Sequence, residues 1–210
     1  MMMRRLVFVS MSVCSMSVLA PAWAAGDAAA GKTLYAVCSA CHGAQGEGNP
    51  SMNSPRIAGQ EAWYLTRQLQ SFRQGIRGAA AGDIYGAQMR PMALQLKDDA
   101  AIANVVAYIG TLPSKPAPAT VKGDAAAGKT AYTTCAACHG QKGEGMQQMN
   151  GPRLAGQEDW YLVRQLANFK KGLRGADPKD AIGAQMRGMA GILSTDKQVD
   201  DVVTYIGTLH

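Results

Sequence analysis

The sequence predicts an all-α protein made of two tandem copies of one small helical domain. Three observations carry this. Residues 26–112 and 123–209 align without a gap at a constant offset of 97, with about 53 identities in 87 positions. Apolar residues recur at helical spacing in both copies, as in Trp63, Leu65, Leu69 and Phe72 against Trp160, Leu162, Leu166 and Phe169. Runs of alternating β-branched or aromatic residues are almost absent. Two copies of domain size describe a tandem duplication rather than a solenoid.

The chain opens on residues 1–24, which read as a cleaved secretory signal. Arg4 and Arg5 form a basic start, Leu6 to Ala20 is a short apolar run, and Ala22-Trp23-Ala24 has the small-x-small form of a cleavage site. The apolar run is short for a membrane span of about 20 residues. Cys14 lies inside this segment and leaves with it. Domain one then occupies 25–112 and domain two 123–210. Between them, residues 113–122 carry Pro113, Pro116 and Pro118. Extended proline-rich backbone rises about 3.1 Å per residue, so this linker spans on the order of 30 Å. That length lets the halves pack together without forcing them to.

Within each half, Asp27 or Asp124 can cap a first helix that runs into a cysteine pair. A second helix is expected over Glu61 to Arg77 and over Glu158 to Arg174. A third starts near Asp98 or Asp196 and ends near Gly110 or Gly207. Gly-, Asn- and Pro-rich loops join them, among them the loops that hold Met89 and Met186. A half of fewer than 90 residues with three helices has little core of its own.

The chemistry is written in Cys38-Ser39-Ala40-Cys41-His42 and its copy Cys135-Ala136-Ala137-Cys138-His139. Cys-x-x-Cys-His is the attachment motif of c-type haem. Cysteines three apart on a helical turn point the same way, toward one edge of the ring, and the next histidine then lies under the iron. The sequence therefore predicts two covalently bound haem c groups, with His42 and His139 as iron ligands. A Cys₄ zinc site would need Cys-x-x-Cys pairs much closer in sequence. A redox dithiol leaves each histidine unexplained and requires strands.

The other axial ligand follows partly by elimination. After cleavage the chain has three histidines, and His210 has no counterpart in the first half, so two bis-histidine haems cannot form. Methionine thioether is the strongest remaining soft donor. Met52/Met149, Met89/Met186 and Met92/Met189 recur in register. Met52 and Met149 follow too closely after the attachment loop. Spacing alone favours Met89/Met186 and leaves Met92/Met189, three residues on, as the alternative.

The formal charge is +6, and it is +4 once Arg4 and Arg5 leave. Haem propionates bring the loaded protein close to neutral, so nucleic acid is not an expected partner. An exported chain with these motifs is expected in the periplasm.

The duplicated arrangement resembles class I cytochromes c, and specifically the dihaem cytochrome c4 family. The resemblance rests on the two attachment motifs, on Pro55-Arg56-Ile57-Ala58-Gly59-Gln60 and Pro152-Arg153-Leu154-Ala155-Gly156-Gln157, on the methionine segments, and on closing helices ending in Tyr-Ile. It implies Met89 and Met186 as ligands, each seven residues before a leucine that opens the last helix. It implies that the Pro55 and Pro152 carbonyls accept a hydrogen bond from the proximal imidazoles. It also implies haems meeting through their propionate edges at the domain interface, where Arg56, Arg153, Tyr64, Tyr161, Trp63 and Trp160 are candidate contacts. The implied function is electron transport between redox proteins, such as a membrane quinol-oxidising complex or a dehydrogenase and a terminal oxidase. The alternative is an electron-transfer subunit of an enzyme complex, such as a flavocytochrome sulfide dehydrogenase. Neither reading makes the chain itself an enzyme. Peripheral membrane association is compatible with both, and the sequence sets no oligomeric state.

Overall fold

The computed structural model describes residues 26–209, and the expected signal segment over 1–24 and His210 lie outside the described residues. Each half is a set of four α-helices and one 3-10 turn. The first half has α1 (Ala28–His42), α2 (Ala62–Arg73), α3 (Ile84–Leu94) and α4 (Asp99–Ile109), and the second has α5 (Ala125–His139), α6 (Asp159–Lys170), α7 (Ala181–Gly191) and α8 (Asp196–Ile206). Extended pairing among the described residues is limited to the isolated bridges Asn49–Ser54 and Met146–Gly151.

The expected caps are present. Asp27 accepts from the amides of Ala29 and Ala30, and Asp124 from those of Ala126 and Ala127, which satisfies donors that a helix start leaves unpaired. Glycine then lets the first and last helices of each half cross closely. A Cβ on Gly31 would lie 1.9 Å from the Asn104 carbonyl oxygen, and one on Gly128 would lie 1.9 Å from that of Asp201. Any larger residue would push the crossing apart. Beside it, the Tyr35 and Tyr108 rings pack at 5.2 Å and the Tyr132 and Tyr205 rings at 5.4 Å.

Each half has its own core. Tyr35, Leu65, Leu96, Ile102, Val105, Val106 and Ile109 form the first, with Cys38 packed against it. Tyr132, Ala136, Leu162, Leu193, Val199, Val202, Val203 and Ile206 form the second, with Cys135 against it. Seven or eight buried side chains make a small core for a domain of this length.

Two elements differ from the sequence expectation. The methionine segments are helical: α3 and α7 start at Asp83 and Asp180, whose carboxylates accept from the amides of Gly86 and Gly183. Pro91 inside α3 and glycines inside α7 obscure the helical pattern in sequence. The second helices also stop short, at Arg73 and Lys170, because Gly75 and Gly172 turn the chain with φ of +74° and +71°.

The linker is tied down chiefly on the second half. The Asp159 carboxylate accepts from the Thr120 hydroxyl at 2.6 Å, from the Val121 amide at 2.7 Å, and from the Thr120 amide. The matching position in the first half is Ala62. Burial alone would raise the Asp159 pKa, but hydrogen bonds from Thr120 and Val121 outweigh it and hold it below the usual aspartate value. A depressed pKa stabilises the fold above the unfolded value near 3.9, and that contribution fades as pH falls through the lower folded value. Asp159→Asn is expected to lower stability at neutral pH by about 1.5–3 kcal/mol, as for hydrogen bonds to a charged group. Thermal unfolding of both proteins should show the gap closing below about pH 4.

Candidate haem sites

Both attachment motifs finish a helix. Cys38 and Cys41 lie on the last turns of α1 with His42 as its final residue, and Cys138 and His139 end α5 with Cys135 one turn earlier. Gly43 and Gly140, at φ of +85° and +84°, end these helices and turn the chain away. His42 and His139 are buried, at 6% and 8% exposure. The Nδ1 atom of His42 lies 2.7 Å from the Pro55 carbonyl oxygen, and that of His139 lies 2.7 Å from the Pro152 carbonyl oxygen. A ring N–H donating to a carbonyl fixes the tautomer and leaves Nε2 as the free donor atom. Burial lowers both imidazole pKa values against the opposing hydrogen bonds to Pro55 and Pro152; at His139 the Glu61 charge also opposes it. Neutral imidazole is the form that binds metal.

One continuous cavity runs through both halves. Its lining includes Cys38, Cys41, His42, Pro55 and Met89 from the first half, and Cys135, Cys138, His139, Pro152 and Met186 from the second. Every residue singled out from the sequence as attachment site, ligand or proximal partner therefore faces this space. Arg56, Arg153, Tyr64 and Tyr161 line it too, whereas Trp63 and Trp160 do not. Met92 and Met189 also reach it, one helical turn beyond Met89 and Met186. The Met92 sulfur accepts from the Gln95 amide at 3.7 Å, and Met189 is 37% exposed. No group of three or more potential ligands among histidine, cysteine and carboxylate side chains gathers into a metal cluster among the described residues.

Where the halves meet, the cavity wall is cationic. Arg77 donates to Gln68 at 2.7 Å, to Tyr161 at 3.1 Å and to Gln165 at 3.0 Å. Arg174 answers with bonds to Gln165 at 2.7 Å, Gln68 at 3.1 Å and Tyr64 at 3.5 Å. Neither guanidinium is ion-paired among the described residues, and the Arg77 Nε is buried without a partner. Burial alone would raise the Tyr64 hydroxyl pKa, but Arg174 and Arg77 outweigh it and hold it below the usual tyrosine value. Two cations at the junction with no ion pair among the described residues call for anions, since an unpaired buried charge is costly. Porphyrin propionates would be anions of the required kind. Thiols on helical turns, a tautomer-fixed imidazole, facing thioethers and a cationic wall together fit covalently held haem in each half.

Arg77, Arg174, Gln68 and Gln165 did not stand out in the sequence, where charged and polar residues on an amphipathic helix read as a solvated face. Their exact recurrence in both copies was the available signal: Gln68 with Gln165, and Arg77 with Arg174.

Comparison with known proteins agrees with this chemistry. The family described as cytochrome c matches twice, over residues 28–113 and 125–210. Cytochrome c4 of Azotobacter vinelandii is 36% identical over 206 residues, covering 90% of this chain and 92% of that protein. The thiosulfate dehydrogenase electron acceptor of Stutzerimonas stutzeri strain A1501 is 33% identical over 186 residues, covering 82% of this chain and 78% of that one. The crystal structure of reduced recombinant cytochrome c4 from Pseudomonas stutzeri superposes with a TM-score of 0.71 at 33% identity, covering 89% of this chain and all of that one. Two attachment helices opening on one shared cavity, matched along most of the chain by these relatives, make the chain a member of the cytochrome c family, in its dihaem cytochrome c4 branch.

Proposed function

We propose that the protein is a periplasmic electron carrier in which His42 with Met89 and His139 with Met186 would hold the two irons. The observation that carries this is the shared cavity, which gathers both attachment motifs and both methionine helices at the junction of the halves. When bound, the haems supply Fe(III)/Fe(II) exchange. The chain's own work is to hold, orient and insulate. Cys38, Cys41, Cys135 and Cys138 fix the ring edges. The Pro55 and Pro152 carbonyls orient the proximal imidazoles. Met89 and Met186 would each supply a thioether to one iron, and the engaged Met92 sulfur and exposed Met189 favour this assignment.

The domain organisation we propose is a signal over 1–24, domains over 25–112 and 123–210, and a linker over 113–122. Among the described residues no helix is long and apolar enough to cross a membrane. The partners are redox proteins: a quinol-oxidising complex or a dehydrogenase as donor, and a terminal oxidase as acceptor. The likeness to a thiosulfate dehydrogenase electron acceptor supports a second reading, in which the donor is an enzyme that oxidises a reduced sulfur compound.

With an imidazole and a thioether both engaged, a bound iron would keep no site for an exogenous ligand. Reduced holoprotein is therefore expected to show no spectral change under carbon monoxide and no turnover of hydrogen peroxide. A redox titration should resolve two unequal one-electron steps. The loops that precede α3 and α7 differ in sequence, Ala80-Ala81-Gly82 aligning with Asp177-Pro178-Lys179, and haem potentials respond to such surroundings. Rapid carbon monoxide binding by the wild-type protein would replace the carrier reading with a ligand-binding one.

A further inference from the structure

The two halves exchange one carboxylate each. Glu61 and Glu158 stand at the starts of α2 and α6, yet neither side chain caps its own helix. Glu158 instead crosses to the first half and accepts the Arg56 amide N–H at 2.7 Å. Glu61 crosses the other way and accepts the Arg153 amide N–H at 2.9 Å. Each of these amides belongs to the peptide group whose carbonyl meets a proximal imidazole: Pro55 with His42 and Pro152 with His139.

A single peptide group therefore joins each imidazole to a carboxylate of the opposite half. The order is ring N–H, carbonyl oxygen, amide N–H, carboxylate. Peptide resonance couples the two ends of that unit. An anionic acceptor on the N–H side pushes electron density along the peptide toward the carbonyl oxygen, and linked hydrogen bonds polarise one another. The oxygen becomes a stronger acceptor for the ring N–H, and the imidazole becomes a stronger donor to metal.

These carboxylates are seated by shape. Gly48 and Gly145 adopt φ of +89° and +87°, and a Cβ there would lie 2.1 Å from Glu158 Oε1 and 2.6 Å from Glu61 Oε2. The neighbouring glutamines grip the same residues. Gln157 Nε2 donates to the Arg56 carbonyl at 3.2 Å, and Gln60 Nε2 to the Arg153 carbonyl at 3.1 Å.

We propose that Glu158 and Glu61 are crossed positioning residues, each setting the reduction potential of the haem in the opposite half through one peptide group. This rests on the reading of His42 and His139 as axial ligands. A more basic imidazole favours the ferric state, so removing the carboxylate charge makes the affected haem easier to reduce.

Glu158→Gln tests this in the haem-loaded full chain, because the carboxamide keeps an acceptor oxygen for the Arg56 amide and loses only the charge. Potentials are read by spectroelectrochemistry and assigned to each half by the haem methyl resonances of the oxidised protein. In Glu158→Gln the reduced-to-oxidised ratio of the first haem at fixed potential is expected to rise about tenfold, or 59 mV for a one-electron couple, with the second haem unmoved. Glu61→Gln is expected to act on the second haem alone. Equal movement of both haems, movement of the haem in the mutated residue's own half, or no movement at all would overturn the proposal. Should one variant fail to assemble, its mirror decides. The proximal ring N–H resonance of the reduced protein provides a second readout, expected to move upfield in the affected half and to stay fixed if the proposal is wrong. A wild-type protein lacking imidazole-thioether spectra would sink the ligand reading itself; intact spectra with unmoved potentials would sink only this coupling.

Discussion

Replacement of Met89 by alanine is expected to remove about half of the sulfur-to-iron charge-transfer absorption at the red end of the oxidised spectrum. Met186→Ala should remove the other half. Both side chains are half-buried on helices that face the cavity carrying the attachment motifs. Thioether is a soft ligand that favours ferrous iron, so its loss lowers the potential of the affected haem, within the roughly 0.8 V range that axial ligands span. The opened position should also bind carbon monoxide in that half only. Met92→Ala and Met189→Ala are expected to leave the band intact. If Met92→Ala removes it, the ligand lies one helical turn further along α3.

The second large effect concerns folding. Alanine at both Cys135 and Cys138, which prevents covalent attachment in the second half, is expected to unfold that half. Its core is eight buried side chains, and Cys135 itself packs against them. The porphyrin would supply much of the remaining apolar contact, against a domain stability of only about 5–15 kcal/mol. Loss of its propionates also leaves Arg174 and Arg77 facing each other without anions. Circular dichroism should lose about half of the helical signal, and limited proteolysis should degrade the second half first. Undiminished helicity in the variant would show that the polypeptide core suffices.

Much of this was legible in sequence because it depends on local spacing. The thiols and histidines, the caps Asp27 and Asp124, and the closing helices follow from residues within one or two turns of each other. The helices around Met89 and Met186 were not legible, since Pro91, Gly188 and Gly191 mimic a loop while Asp83 and Asp180 supply caps from outside the segment. The roles of Glu61, Glu158, Arg77 and Arg174 were hidden for a different reason. Each acts on a partner more than 80 positions away, and nothing in its own neighbourhood separates it from a solvated charge.

The bonds across the junction come in matched sets. Arg67 reaches Asn150 while Arg164 reaches Asn53, and the glutamates and Arg77/Arg174 exchange in the same way. Such self-complementarity is the hallmark of a two-fold homodimer, where one patch recognises its own copy. The duplicated chain carries that geometry on one polypeptide. Its tether replaces dissociation on dilution with an effective local concentration in the millimolar range, so the redox centres stay paired however scarce the protein becomes.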